Sequence, residues 1–322
     1  MKFPKFFAGA GLIAAVPLFG AATLLTAYGQ PTDPPPDTAQ AKTTITVLPK
    51  GKSQVVAQIP PQDLKIQVNG KSVKADSVIP LRGDNAGLEL VILIDSAARN
   101  SLGRNMSEIA KFVQSLPPTT AVSIAYMVNG RAVFQQPFTT DKNQALRSLH
   151  LPGGTAGSSA SPYFCLSDLA KNWPSTNRET RREVLAITDG IDPYEVHFDP
   201  EDPYVRTAIR DSVSAGMIVD ALYWHDLGIA SRVGFLANGG QNLLMELTES
   251  TGGTFFYQGL GNPVSFTPYL DELGTRLDNQ FELGFVVPGK NKPDLESLKV
   301  KLDMPGTRLS APDLVLVPPQ AQ

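Results

Sequence analysis

Apolar and polar residues alternate at both ends of this chain and run together in its middle. From residue 43 to about 81 the alternation has period two, as in Thr44-Ile45-Thr46-Val47 and Leu64-Lys65-Ile66-Gln67-Val68. That rhythm predicts strands with one buried face. Asn69-Gly70 follows the second run and Val73 resumes it, which predicts a hairpin, because a type I′ turn needs positive φ at both central positions. From Leu88 the alternation gives way to nearly continuous apolar runs: Leu88-Glu89-Leu90-Val91-Ile92-Leu93-Ile94, Val184-Leu185-Ala186-Ile187, Met217-Ile218-Val219-Asp220-Ala221-Leu222-Tyr223 and Thr254-Phe255-Phe256-Tyr257. Such runs predict strands covered on both faces.

Between these runs apolar residues recur at helical spacing. Met106, Ile109, Phe112, Val113 and Leu116 mark one helix, with Asn105 and Glu108 at capping-box spacing and Pro117-Pro118 as its stop. Ser161-Pro162 opens a second, carrying Phe164, Leu169 and Trp173 and closed by Pro174. Val205, Ile209 and Val213 mark a third, ended near Gly216; Leu243, Leu244 and Leu247 a fourth, stopped by Gly252-Gly253. Phe266, Leu270, Leu273, Leu277 and Phe281 share one face of the last. Residues 122–128 and 132–138 form a predicted hairpin around Asn129-Gly130. Strands alternating with helices predict an α/β domain over residues 86–280, a doubly wound, mostly parallel sheet with helices on both faces. The tail, 281–322, returns to strands at 281–287, 298–302 and 314–317. The two flanks, 43–85 and 281–322, hold only about 40 residues each, too few for separate cores. The expectation is that they pair with each other, so that the α/β domain is inserted into a small β-domain.

The N-terminus changes where the chain is expected to work. Lys2 and Lys5 precede an uncharged apolar run from Phe6 to Ala27, and Ala27-Tyr28-Gly29 has the small residues of a cleavage site. Residues 1–29 read as a signal peptide or membrane anchor, so the expected location is periplasmic, secreted or at the cell envelope. Residues 30–42, with Pro31, Pro34, Pro35 and Pro36, read as a Pro-rich linker. Composition excludes other classes. Hydrophobic residues are 42% and charged residues 18%, a globular balance, and the net charge of −3 predicts no basic face for nucleic acid. The lone cysteine, Cys165, forms no internal disulfide and reads as a small buried residue.

In an open α/β sheet, ligands bind at the carboxyl ends of the strands. Two of the buried runs end in a carboxylate, Ile94-Asp95 and Ile187-Thr188-Asp189-Gly190. Oxygen ligands of this kind suit a hard divalent cation. The strand ending Leu93-Ile94-Asp95-Ser96, the Gly/Ser/Thr-rich loop before a helix, and the later Ala186-Ile187-Thr188-Asp189-Gly190 resemble the von Willebrand factor A (VWA) domain, over roughly residues 88–280. The flanks resemble the VWFA-related Acidobacterial domain subgroup, through Asp63-Leu64-Lys65-Ile66-Gln67-Val68-Asn69-Gly70-Lys71 before the domain and Leu283-Gly284-Phe285, Lys299-Val300-Lys301 and Pro305-Gly306 after it.

The resemblance implies a metal-ion-dependent adhesion site (MIDAS) read from Asp-x-Ser-x-Ser, a distant Thr and a distant Asp. Asp95 matches the first Asp and Asp189 the last, while the two Ser positions hold Ala97 and Arg99. Ser96 stands at a spacer position, and either Thr155 or Ser161 takes the place of the Thr. The expected site is therefore degenerate: Asp95, Ser96, Thr155, Ser161 and Asp189 bind Mg²⁺ or Mn²⁺ weakly or not at all. Arg99 repels a cation and either pairs with Asp95 or Asp189 in its place or points to solvent; the three are the expected partner-binding residues. Other signals are weaker. The loop 153–161 lacks the Gly-Lys-Ser/Thr of a phosphate loop. His150, His197 and His225 have no metal spacing and no nucleophile elbow beside them. The acidic stretch 192–202 reads as a solvated loop, and Tyr223-Trp224-His225 reads as core at the end of the third strand.

The expected function is that of an exported, non-enzymatic module for protein–protein interaction or adhesion, recognising another protein through loops 95–104, 155–161 and 189–194. The alternatives are a hydrolase using the strand-end aspartates and a structural envelope protein without a discrete site.

Overall fold

The protein is seen in a computed structural model that describes residues 38–51, 55–98, 100–153, 161–177, 179–194, 199, 201–225, 233–259 and 261–319. Residues 1–37, Arg99, Thr155 and His197 lie outside them, and with them the expected signal or anchor segment. Among the described residues no helix is long and apolar enough to cross a membrane.

Strands β1 (Thr38–Pro49), β2 (Leu64–Val68), β3 (Lys71–Val73) and β4 (Ala75–Pro80) come first. The middle of the chain holds β5 (Leu88–Asp95), α1 (Met106–Ser115), β6 (Thr120–Val128), β7 (Arg131–Phe134), α2 (Lys142–Leu146), α3 (Pro162–Lys171), β8 (Arg181–Thr188), α4 (Pro203–Ser214), β9 (Met217–Tyr223), α5 (Gly234–Thr251), β10 (Phe255–Phe256) and α6 (Thr267–Asp278). Then follow β11 (Gln280–Pro288), β12 (Asp294–Leu302), β13 (Thr307–Ser310) and β14 (Leu314–Val317).

The middle is a doubly wound α/β body. Its sheet has the order β10-β9-β8-β5-β6-β7, parallel except for the β6–β7 hairpin. Every position of β5 is buried, which is why its run is apolar throughout rather than alternating. Leu90, Ile92 and Ile94 pack under α1 and α6, with Ile109, Phe112, Leu270 and Leu273. Val91 and Leu93 pack on the other face against α3, α4 and α5, with Leu166, Leu169, Val205 and Leu247. Each such side chain contributes about 1.5–3 kcal/mol of burial. The winding starts at β5, goes one way to β6 and then returns the other way to β8, β9 and β10. The switch therefore lies between β5 and β8, the position where a doubly wound sheet opens a crevice above its strand ends.

The two ends of the chain form two four-stranded sheets, β13-β1-β11-β4 and β14-β12-β2-β3. β1 is antiparallel to β11 from Thr38↔Pro288 to Thr46↔Gln280, and β2 is antiparallel to β12. The sheets share one core, with Ile45, Val47 and Ile66 from the first flank and Phe281, Leu283, Phe285 and Val317 from the second.

Several local expectations are corrected. β1 begins at Thr38, inside the stretch read as a linker, because Ala39 and Ala41 face the core while Gln40 and Lys42 face outward. Phe281 lies in β11 and Trp173 beyond the end of α3, where its indole N–H donates to Glu89 Oε2 at 2.7 Å. Asn105 and Glu108 do not form a capping box. Asn105 makes no side-chain cap bond, and Glu108 accepts at 2.7 Å from Ser265 Oγ, Thr267 N and Thr267 Oγ1. The carboxylate that was expected to cap its own helix thus ties α1 to the first turn of α6.

Candidate functional site

Asp95 ends β5 and Asp189 follows β8, so the switch of winding brings both carboxylates to one crevice. Each closes the turn after it. Asp95 Oδ1 accepts from Ala97 N at 2.9 Å, Asp189 Oδ1 from Ile191 N at 3.0 Å and Asp192 Oδ1 from Tyr194 N at 2.8 Å. A short acceptor bonding the backbone two residues on is the usual reason for Asp at such bends. Thr188 Oγ1 donates to Asp95 Oδ2 at 3.0 Å and accepts from Gly190 N at 3.3 Å. Both oxygens of Asp95 therefore receive hydrogen bonds from the protein.

Ser161 caps α3, with Pro162 in the first turn. Its Oγ accepts from Tyr163 N at 3.2 Å and donates to Asp192 Oδ2 at 2.8 Å. Tyr163 OH donates to Gly190 O at 2.7 Å. The start of α3 is thereby fixed to the loop after β8. The same loop is pinned to α5: Gly190 has φ 69°, and a Cβ on Gly240 would run into the Asp189 carbonyl.

Burial dominates the electrostatics. Burial first, and then the Asp95 charge, push the Asp189 carboxyl up to about 8 against the opposing Ile191 N–H. Burial also holds the Tyr163 hydroxyl well above its ordinary value, followed by Asp192, Asp202 and Asp189. The thiol of Cys165 is buried and raised well above its ordinary value, mainly by burial.

The described site residues do not match the metal site that the VWA resemblance implies. Position 97 is a buried alanine with no oxygen to offer. The Ser161 hydroxyl is already shared between a helix N–H and Asp192. Ser96 is buried and its Oγ has no hydrogen-bond partner among the described residues. Among the described residues no three His, Cys, Asp or Glu side chains gather where they could hold a metal ion. Asp95, Ser96, Ser161 and Asp189 stand around the ends of β5 and β8, while Thr155 and Arg99 lie outside the described residues.

Two members of this constellation went unread in the sequence. Thr188 sits inside the Ile-Thr-Asp-Gly run, and its hydroxyl links the two strand ends. Asp192 was read as part of a solvated acidic loop, but it and Asp202 are buried, at 2% and 1% exposure. Asp192 holds Ser161, and Asp202 caps α4 through Tyr204 N and Val205 N. The spacing Asp189-x-x-Asp192, two turn-forming aspartates in succession, was the available signal. His225 bonds Tyr223 OH at 3.0 Å, and His150 stacks on Tyr126.

Large apolar side chains are exposed at this end of the sheet. Ten are exposed among the described residues, and six of them, Leu151, Tyr194, Val233, Phe235, Tyr257 and Val264, lie in the loops and helix start at the carboxyl ends of the strands.

No protein-family model matches the chain, and no curated protein matches it. Similar solved structures exist. An aerotolerance-related membrane protein from Bacteroides fragilis is 18% identical over 60% of this chain and 99% of its own, with a TM-score of 0.43. The VWA domain of SpRpn10 is 13% identical over 55% of this chain and 98% of its own, with a TM-score of 0.30. Proximal thread matrix protein 1 from the mussel byssus, with a zinc-occupied MIDAS motif, is 11% identical over 63% of this chain and 47% of its own, with a TM-score of 0.39. The fold class, a mostly parallel α/β sheet with helices on both faces, is the one the sequence predicts.

Proposed function

We propose that this chain is an exported protein-recognition module whose VWA-like face binds another protein without a divalent cation. One observation supports the reading: six of the ten large apolar side chains exposed among the described residues lie in the segments at the carboxyl ends of the strands, with Val264 at 93%, Phe235 at 62% and Tyr194 at 61% exposure. An apolar, aromatic-bearing patch rimmed by polar loops is what a protein interface presents before its partner arrives. The carboxylates beneath it order the loops that carry the patch. Export rests on the basic and apolar N-terminal segment. Arg99 brings a permanent positive charge to the loop after Asp95, at the place of the family's second serine, and acts there with Asp95 and Asp189 in place of a metal. Nothing in this role requires turnover.

The test compares surfaces. Envelope proteins retained by the mature chain are identified, and retention is repeated with the Phe235→Asp, Val264→Asp double variant and with Val133→Asp, an exposed position on β7. The expected result is specific retention lost with the double variant and kept with Val133→Asp. Equal retention by all three removes the reading.

A further inference from the structure

A second pair of acids lies buried on the same sheet, away from the crevice. Glu183 is near the start of β8 and Asp220 is in β9. The register pairs Glu183 with Ile218 and Leu185 with Asp220, so the two carboxyls are diagonal neighbours on one face. Both residues are 1% exposed. Asp220 Oδ1 accepts from Thr254 N at 2.8 Å and has Arg276 Nε, on α6, at 3.9 Å. Asp220 Oδ2 is buried and, among the described residues, receives no hydrogen bond from any N–H or hydroxyl. Both oxygens of Glu183 lie 3.0 Å from the single Gln280 Nε2. The two carboxyls face each other at hydrogen-bond range. Two carboxylates have no donor between them, so such a bond needs a carboxyl proton. With that proton on Glu183, the Asp220 carboxylate gains a donor.

The pair sits at the joint of the molecule. Gln280 is the first residue of β11, and Arg181 donates to its Oε1. Arg181 also donates to Leu277 O at 3.0 Å, Ala86 O at 3.4 Å and Gly87 O at 3.5 Å. Residues 86–87 are where the chain enters the α/β body, and residues 277–280 are where it leaves. One network of Glu183, Gln280 and Arg181 therefore closes on both crossings. The charged groups that act on it are Arg181 on β8, Arg276 and Glu272 on α6, and Asp278 acting on Arg181.

We propose that Glu183 and Asp220 form a proton-dependent latch: one proton, held on Glu183 and donated to Asp220, keeps the joint between the β-sheets and the α/β body closed, and its loss to solvent loosens the joint. When the Glu183 O–H breaks, the proton goes to water and two adjacent buried carboxylates remain, a state the low-dielectric interior penalises. Burial first, and then the charge of Asp220, hold the Glu183 carboxyl at about 8 against the opposing Arg181, and burial raises Asp220 as well. The pair titrates as a unit.

The experiment is amide hydrogen exchange on the full chain from pH 5 to 9, corrected for intrinsic rates. Wild type is compared with Glu183→Gln, whose amide is a donor at every pH. Protection at residues 280–283 and 86–88 is expected to fall as pH rises to 8, by up to about tenfold per pH unit for one proton, and to stay level in Glu183→Gln. Carboxyl-¹³C-glutamate labelling of the wild type supplies a readout that needs no variant: one buried glutamate carbon titrates above pH 7. Equal pH profiles in the two proteins, or no glutamate carbon titrating above pH 7, overturns the latch.

Discussion

Asp95 and Asp189, above the carboxyl ends of β5 and β8, take hydrogen bonds from the turns that directly follow them, through Ala97 N–H and Ile191 N–H. Glu183 and Asp220, buried on the same sheet, take theirs from Gln280, 97 residues away, and from Thr254, 34 residues away. A carboxylate held mainly by its own loop shapes that loop; here one further bond, from Thr188 Oγ1 to Asp95 Oδ2, crosses to the neighbouring strand. A carboxyl satisfied by distant segments holds those segments together. The first arrangement leaves the strand ends free to accept other residues in the turns that follow. In the second, every partner is committed, so it belongs to the architecture.

The sharpest way to break this contrast is to remove one acid from the lower pair. Asp220→Ala leaves the Thr254 N–H without its acceptor and the buried Arg276 without its counter-charge, and deprives Glu183 of its partner. Removing one member of a buried charged pair costs about 3–5 kcal/mol, to be read from urea unfolding at pH 7. An equal or smaller loss than for Thr188→Val would reverse the assignment of roles.

Next in size is the pH dependence, whose sign follows from Glu183. Its folded value, about 8, lies above its ordinary value of 4.5. Between these the folded chain keeps a proton that the unfolded chain has lost. The stability this contributes is fully present below pH 4.5, declines as pH rises, and is gone above about 8, at a slope of up to about 1.4 kcal/mol per pH unit. Urea midpoints from pH 5 to 9 are expected to fall in wild type and to fall less in Glu183→Gln.

The upper pair offers a smaller effect of a different kind. A Cβ on Gly240 would meet the Asp189 carbonyl and the Gly190 backbone, so Gly240→Ala pushes the turn after β8 off α5. Overpacking of this sort costs about 1–3 kcal/mol. Loss of partner retention should accompany it, because Tyr194 and its neighbours ride on that turn. Thr188→Val removes the hydroxyl linking β8 to Asp95 and should cost about 1 kcal/mol, measured by the same unfolding assay.

The two regions also differed in how far the sequence revealed them. β5 and β9 were legible because a strand buried on both faces has no reason to alternate, and the two Asn-Gly turns were legible because few residues adopt their conformation: Asn69, Gly70, Asn129 and Gly130 have φ of 47°, 75°, 51° and 74°. Asp95 and Asp189 stood out as carboxylates ending apolar runs. Glu183 falls just before a predicted strand and Asp220 inside one, and nothing local marks either, because their partners arrive from α6, β11 and the segment before β10. Glu108 misled for the same reason: its spacing suited a local cap, but the nearest donors came from α6. Local chemistry is written in local sequence, whereas chemistry between distant segments needs the fold.

The smallest expected effect bears hardest on the upper site, since it is an absence that has a calibrated alternative. A ligand that binds only the folded chain stabilises it by RT ln(1 + [L]/Kd), about 2.7 kcal/mol at one hundred times Kd. Mg²⁺ or Mn²⁺ at 10 mM would therefore raise the stability of the chelator-treated mature chain by about 2.7 kcal/mol if a site of roughly 0.1 mM affinity existed. With Ala97 in place of a hydroxyl ligand and the Ser161 hydroxyl committed to Asp192, the expected shift is zero within error, and titration calorimetry should show no saturable heat. A stabilisation present in wild type and absent in Asp95→Ala would mean that water replaces the missing serine oxygens and that the crevice still recognises its partner through a metal. The same titration in Arg99→Ser separates the two causes. If a restored hydroxyl and a removed positive charge bring metal binding back, Arg99 is what excludes the cation; if they do not, the hydrogen bonds already made to Asp95 are enough.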